Sequence, residues 1–234
     1  MSKPAMIRAA ELVEDFDLYP RPDVDSQHVS QMVEALEAGV ELPAAIADRK
    51  SKRIVDGFHR KRAWIRWGGP DVEVPVIWKD YKNDGELFLD AMACNSGHGR
   101  RLSTFDKVRC AVIAGNLKLE PARVAAALKL TTERVSGLII SRTATGTLSG
   151  RYSRTAAGEK GDVPLKRTIA HMAGGKINKQ QQEANDKLSG MAPLFYINQV
   201  IILIEANLLP EGDENLETGL KKLHDLLEAR MVAV

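Results

Sequence analysis

The stretch Val55-Asp56-Gly57-Phe58-His59-Arg60-Lys61-Arg62-Ala63 constrains this chain more than any other. Arg53–Val55 has the residues of a short strand. Ala63, Trp64 and Trp67 share one helical face, which ends at Gly68-Gly69-Pro70. A strand that passes into a helix through one glycine places residues 1–99 in a small mixed α/β domain. Backbone N–H groups at a helix N-terminus stand unpaired, and the helix dipole adds positive potential. Gly57 lets a ligand approach the backbone closely. Arg60 and Arg62 supply charge-assisted donors for phosphate, and His59 can donate or relay a proton. The G-x-x-x-x-G-K-[ST] pattern of a P-loop is absent. The residues alone leave two readings open: a phosphate cradle, or a structural glycine turn with solvated arginines.

The flanking sequence supports the same class. Residues 16–22 are expected to be extended, because Pro20 and Pro22 flank Arg21. Ser26 suits the cap of a helix with Val29, Met32, Val33 and Leu36 at helical spacing, and Gly39 suits its stop. Residues 44–48 and 72–78 read as strands and 86–93 as a helix. That helix is followed by Cys94-Asn95-Ser96-Gly97-His98-Gly99-Arg100-Arg101. Asn95 and Gly97 are expected at its C-cap, with His98, Arg100 and Arg101 clustered in the turn. This is either a capped turn with exposed bases or a second wall of the same anion site.

The chain has 33 Lys and Arg against 31 Asp and Glu, a formal charge of +2 over 234 residues. That balance hides a segregation. Residues 100–180 hold 16 basic and 5 acidic side chains, and both flanking segments are net acidic. A basic middle points to a polyanion partner or to a solvated basic face. Aromatic residues are 5% of the chain, so base stacking on an aromatic sheet is not the expected mode. Cys94 and Cys110 lack metal-ligand spacing, and the chain opens without an apolar run. Its longest apolar stretch, residues 200–204, is too short to span a bilayer. These features predict a cytoplasmic protein without a metal site or a membrane partner.

The middle reads as helical. Residues 104–116 form one expected helix, Pro121–Leu128 a second with proline in its first turn, and a third runs from a Thr131 or Thr132 cap to about Ser141. The pair over 121–140 fits a helix-turn-helix. Ala125 is the small residue at the helix crossing, and Val124, Leu128, Leu130, Val135 and Leu138 are the apolar contacts. Thr131, Thr132, Glu133, Arg134 and Ser136 open the second helix, where short polar side chains meet base edges. Lys129 occupies the left-handed turn position usually held by glycine, at a cost of roughly 1 kcal/mol. Arg134 and Ser136 are the candidates for base contacts. Arg123, Lys129, Arg142, Arg151 and Arg154 are candidates for phosphate. The alternative is an ordinary helical hairpin. Residues 143–163, rich in Gly, Ser and Thr, read as a flexible basic loop that closes a segment 100–163.

These motifs together resemble the ParB/sulfiredoxin-like superfamily over residues 10–110. To about residue 142 the chain resembles ParB-type partition proteins and streptomycin-cluster-type regulators. Asp17–Arg21 with the following helix resembles the first ParB box. Gly57, Arg60, Arg62 and Ala63 fall on the G-x-x-R-x-R-A spacing of the second, and Asn95 to Ser103 has the spacing of the third. The resemblance implies a nucleotide, CTP or ATP with Mg²⁺, contacted by Gly57, His59, Arg60, Arg62, Asn95 and His98. Three positions depart from the family. Cys94 stands where the third box has the Glu that assists hydrolysis, His98 where it has Arg, and Phe58 where the second box has Glu. The departures speak against hydrolysis. Phe58 also occupies the place of the sulfiredoxin cysteine, which excludes that chemistry. Asp56, Gly57 and Arg60 match part of the Asp-Gly-His-x-Arg turn of free-serine kinases in the superfamily.

Residues 164–234 are expected to be helical, with an apolar segment at 194–209 and a final helix striped by Leu220, Leu223, Leu226 and Leu227. Residues 191–234 are expected either to dimerise or to fold back as core. The sequence therefore predicts an α+β protein: an α/β N-terminal domain, an all-α helix-turn-helix domain and a helical tail. Its expected function is sequence-specific binding of double-stranded DNA as a homodimer, in DNA partition or transcription regulation, modulated by CTP. The competing expectation is an enzyme, a nucleotide hydrolase or small-molecule kinase centred on residues 56–62.

Overall fold

The computed structural model describes residues 4–97, 101–148 and 158–232. Its first elements are β1 (Ala5–Arg8), α1 (Ser26–Glu37), β2 (Ala45–Asp48), β3 (Ile54–Asp56), α2 (Phe58–Gly68) and β4 (Glu73–Lys79). They form a sheet of order β1-β4-β2-β3. β4 pairs antiparallel with β1 and parallel with β2, and β3 runs antiparallel to β2. Side chains alternate along a strand, so this sheet feeds two cores. Ala45, Ala47, Ile54, Val74 and Val76 pack with Val29 and Leu36 of α1 and with Phe58, Ala63 and Trp64 of α2. Ile46 and Val55 join the other core, with Leu87, Phe88, Ala91 and Met92 of α3 (Asp84–Gly97).

That second core continues through α4 (Thr104–Asn116), α5 (Pro121–Ala127) and α6 (Thr132–Arg142). Cys110, Ile113 and Ala114 meet Val124, Ala125, Leu128 and Val135. Ser103 starts α4 through a reciprocal capping box with Asp106. A third, smaller core follows. β5 (Thr143–Thr147) and β6 (Lys160–Pro164) pair antiparallel, and Ala144, Leu148, Val163, Leu165 and Ile177 pack together. α7 (Lys179–Lys187) closes it by hydrogen bonds: Gln182 to both backbone groups of Thr147, and Asn185 to Lys166 N and Pro164 O. By contact, residues 1–190 form one unit and residues 191–234 another. The second unit holds α8 (Pro193–Glu205) and α9 (Glu214–Val232). The protein is thus α+β, and among the described residues its strands form a small N-terminal sheet and one later hairpin. Among the described residues no helix is long and apolar enough to cross a membrane.

Several local expectations are corrected. Residues 16–22 are turns and bends rather than extended chain. Asp25, not Ser26, caps α1, accepting from the amides of Gln27 and His28. α3 begins earlier and runs through Asn95, whose amide nitrogen donates to Ala91 O instead of capping the helix. The expected loop at 143–163 contains β5 and most of β6. Two of its glycines serve packing rather than flexibility: a Cβ on Gly146 would lie 2.8 Å from Val163 Cγ2, and one on Gly161 would lie 2.7 Å from Leu148 Cδ1. Residues 149–157, with Arg151 and Arg154, lie outside the described residues, as does His98.

Phe58 is 1% exposed, stacked on Tyr19 at 3.9 Å and edge-on to Phe16 at 5.4 Å between ring centroids. Phe58→Ala is expected to destabilise residues 1–190 by about 3–5 kcal/mol in urea denaturation. A loss under about 1 kcal/mol would contradict this packing.

Candidate functional site

Gly57 adopts φ 120°, and a Cβ there would lie 2.9 Å from Ala45 Cβ. Glycine is therefore required by conformation and by the closeness of β2, before any ligand is considered. The arginines after it are engaged within the protein. Arg60 Nη1 donates to Pro43 O at 3.0 Å and Ala44 O at 2.9 Å, and Nη2 pairs with Asp56 at 2.8 Å. Arg62 grips Glu14 through both Nε and Nη2, the latter at 2.6 Å, and lies over the Phe16 ring. Its side chain is half exposed, whereas that of Arg60 is not. His59 is buried. The Asp25 N–H donates to its Nε2 at 3.0 Å, which fixes the ring proton on Nδ1, 3.3 Å from the Tyr19 hydroxyl. Burial holds that hydroxyl protonated well above the usual phenol range.

The loop bearing Tyr19 is anchored by α4. Arg109, 1% exposed, donates to Tyr19 O and to Phe16 O. Arg21, also buried, pairs with Asp106 at 3.5 Å. Neither role is evident in the sequence, where Arg109 is one more basic residue in a basic segment.

Asn95 is brought near the turn, since α3 packs on β3. Around it lies a cluster that the sequence did not single out. Tyr81 donates to Asp90 at 2.5 Å, Lys79 pairs with Asp90 at 2.6 Å, and Cys94 Sγ lies 3.8 Å from it. Burial, with the carboxylates of Asp90 and Asp56, pushes the Cys94 thiol up to about 11. A thiol so protonated is a poor nucleophile at neutral pH. The i, i+4 spacing of Asp90 and Cys94 was the only available signal. No group of three His, Cys, Asp or Glu among the described residues is arranged to hold a metal ion.

The second candidate region is the α5–α6 pair. Leu130 N donates to Ala125 O, and Lys129 makes the turn at φ 55°. Thr131 caps α6, its hydroxyl accepting from Arg134 N at 3.2 Å. Val124, Ala125, Leu128, Val135 and Leu138 are buried. Arg123, Lys129, Thr131, Arg134 and Ser136 are exposed, and Thr132 is half-buried. A Cβ on Gly97 would lie 3.3 Å from Lys129 Nζ, so that ammonium stands at the C-terminal end of α3, where the dipole favours a cation. Arg142, half-buried at the end of α6, lines a cleft with Arg21.

No known family profile and no curated protein matches the chain. Solved structures do. The chain is similar to the C-terminally truncated chromosome-partitioning protein ParB from Caulobacter crescentus complexed to the centromeric parS site. The identity is 15% and the TM-score 0.43, over 57% of this chain and 69% of that one. The same protein complexed with CTP-gamma-S matches at 15% identity and TM-score 0.36, over 58% and 77%. The pNOB8-like ParB N-domain matches at 15% and 0.39, over 87% and 66%.

Gly57→Ala is expected to destabilise the protein by about 2 kcal/mol or more, from strain at positive φ and the contact with Ala45. Thr131→Ala is expected to cost about 1 kcal/mol through loss of the cap. Urea denaturation of each variant checks both.

Proposed function

We propose that this protein is a ParB-like, sequence-specific DNA-binding protein acting in DNA partition or transcription regulation. The observation that carries this reading is the exposed polar face at the start of α6, inside the basic segment 100–180. The buried side of α5 and α6 holds the pair as a helix-turn-helix. Thr131, Thr132, Arg134 and Ser136 open the second helix, which enters the major groove by its N-terminal residues. Arg134 and Ser136 read base edges. Arg123 and Lys129 meet phosphate, as do Arg142, Arg151 and Arg154.

A nucleotide at the Gly57 turn is a modulator in this reading. The Gly57 gap is filled by Ala45, and Arg60 holds the chain just before β2 through the carbonyls of Pro43 and Ala44. Half-exposed Arg62 is the residue placed to exchange Glu14 for a phosphate oxygen. Residues 191–234 dimerise, supported by the exposed Leu194, Ile197, Ile201 and Ile204 of α8. Two half-sites bound by a dimer give the affinity that one helix-turn-helix lacks.

Fluorescence anisotropy with selected genomic fragments tests the DNA reading. Affinity is expected to fall steeply as salt rises, and Arg134→Ala to weaken specific binding about tenfold or more. A salt-independent constant would sink the idea. CTP with Mg²⁺ is expected to raise the thermal midpoint, and Arg62→Ala to remove that shift. For the dimer, sedimentation velocity is expected to give twice the chain mass for the native protein and the chain mass for Ile201→Glu. A native monomer at every concentration contradicts it.

A further inference from the structure

A cleft of about 600 Å³ lies among the loop 21–25, the start of α4, Arg142 and the segment after β6. Pockets for small molecules run from roughly 300 to 1,000 Å³. None of Gly57, His59, Arg60, Arg62 or Asn95 lines this one. It is a separate place from the turn.

Its charges are not balanced. Arg21 is buried in the wall and paired with Asp106. Lys166 donates its ammonium to the carbonyls of Asp186 and Leu188. Asp25 is taken up as the cap of α1. That leaves Arg101, Arg142 and Arg167, whose guanidinium groups have no ion-pair or hydrogen-bond partner among the described residues, against the one carboxylate of Asp23. The amides of Thr104 and Phe105 stand at the same edge, in the first turn of α4, where a helix offers no acceptor. Half-buried Pro22 and Val24 form an apolar part of the wall. Cationic forks, first-turn helix amides and an apolar surface lining one recess suit an anion with an organic body better than the convex backbone of a duplex.

We infer that this cleft binds a small phosphorylated molecule. Arg101 and Arg167 take its phosphate oxygens as charge-assisted donors, with the first-turn amides of α4 beside them. The remainder of the molecule rests on Pro22 and Val24.

Calorimetric titration of the full chain with inorganic pyrophosphate, at fixed ionic strength, tests this. Saturable binding is expected. It should weaken about tenfold or more in Arg101→Ala and in Arg167→Ala, and be unchanged in Arg49→Ala, an exposed arginine outside the cleft. Circular dichroism verifies folding, and Arg101→Gln with Arg167→Gln replaces any alanine variant that fails. Absence of saturable binding overturns the inference. Loss of binding in Arg62→Ala alone also overturns it, and assigns the anion to the Gly57 turn. If pyrophosphate does not bind but duplex DNA does, and the Arg101 and Arg167 variants weaken only the DNA, the cleft belongs to the DNA backbone. Failure of DNA binding with pyrophosphate binding intact would remove the DNA reading and leave this one standing.

Discussion

The guanidinium of Arg109 sits in the middle of α4 and donates to the carbonyls of Phe16 and Tyr19. A buried charge without such partners costs several kcal/mol, so the loop and the helix hold each other in place. The next residue adds to this, since the Cys110 thiol donates to Pro20 O, and burial pushes that thiol up to about 12. Everything near the Gly57 turn follows from the loop so fixed. Tyr19 stacks on Phe58 and meets His59, and His59 accepts from the amide of Asp25, the residue that caps α1. A helix from the second core thereby sets the geometry of the first.

How far the sequence could be read depended on the range of the forces involved. α4 and the start of α2 were legible because helical spacing and glycine punctuation are local. β1 was not: Ala5–Arg8 is short and without alternation, and it becomes a strand by pairing with β4. β5 and β6 looked like a linker because their glycines answer to side chains across the hairpin. The candidate site divides in the same way. Arg60 and Arg62 were legible as donors, but Glu14 lies 48 residues from Arg62 and Ala44 lies 16 from Arg60. Asn95 has the residue type of a cap, but α3 packs on β3 and the helix runs on through it.

The charge segregation is also a segregation of pairing. In the acidic N-terminal part, basic side chains meet carboxylates: Arg53 with Asp15 and Asp84, Arg60 with Asp56, Arg62 with Glu14, Lys79 with Asp90. Arg101, Arg123, Arg134, Arg142 and Arg167 have no such partner among the described residues. Exposed pairs add little stability, so their main effect is on the outward field. The field of the N-terminal part is largely cancelled within it, and that of the middle segment is not.

α6 ends at Arg142 and β5 begins at Thr143, with no residue between them. Leu165 N donates to Arg142 O, and Thr143 pairs with Pro164. The helix has no slack at this end, and turning it would tear the hairpin. Whatever α6 meets, it meets as a preshaped surface, with little motion left to freeze. Recognition on such a surface is governed by fit, and an ill-fitting partner is refused because the helix cannot yield to it.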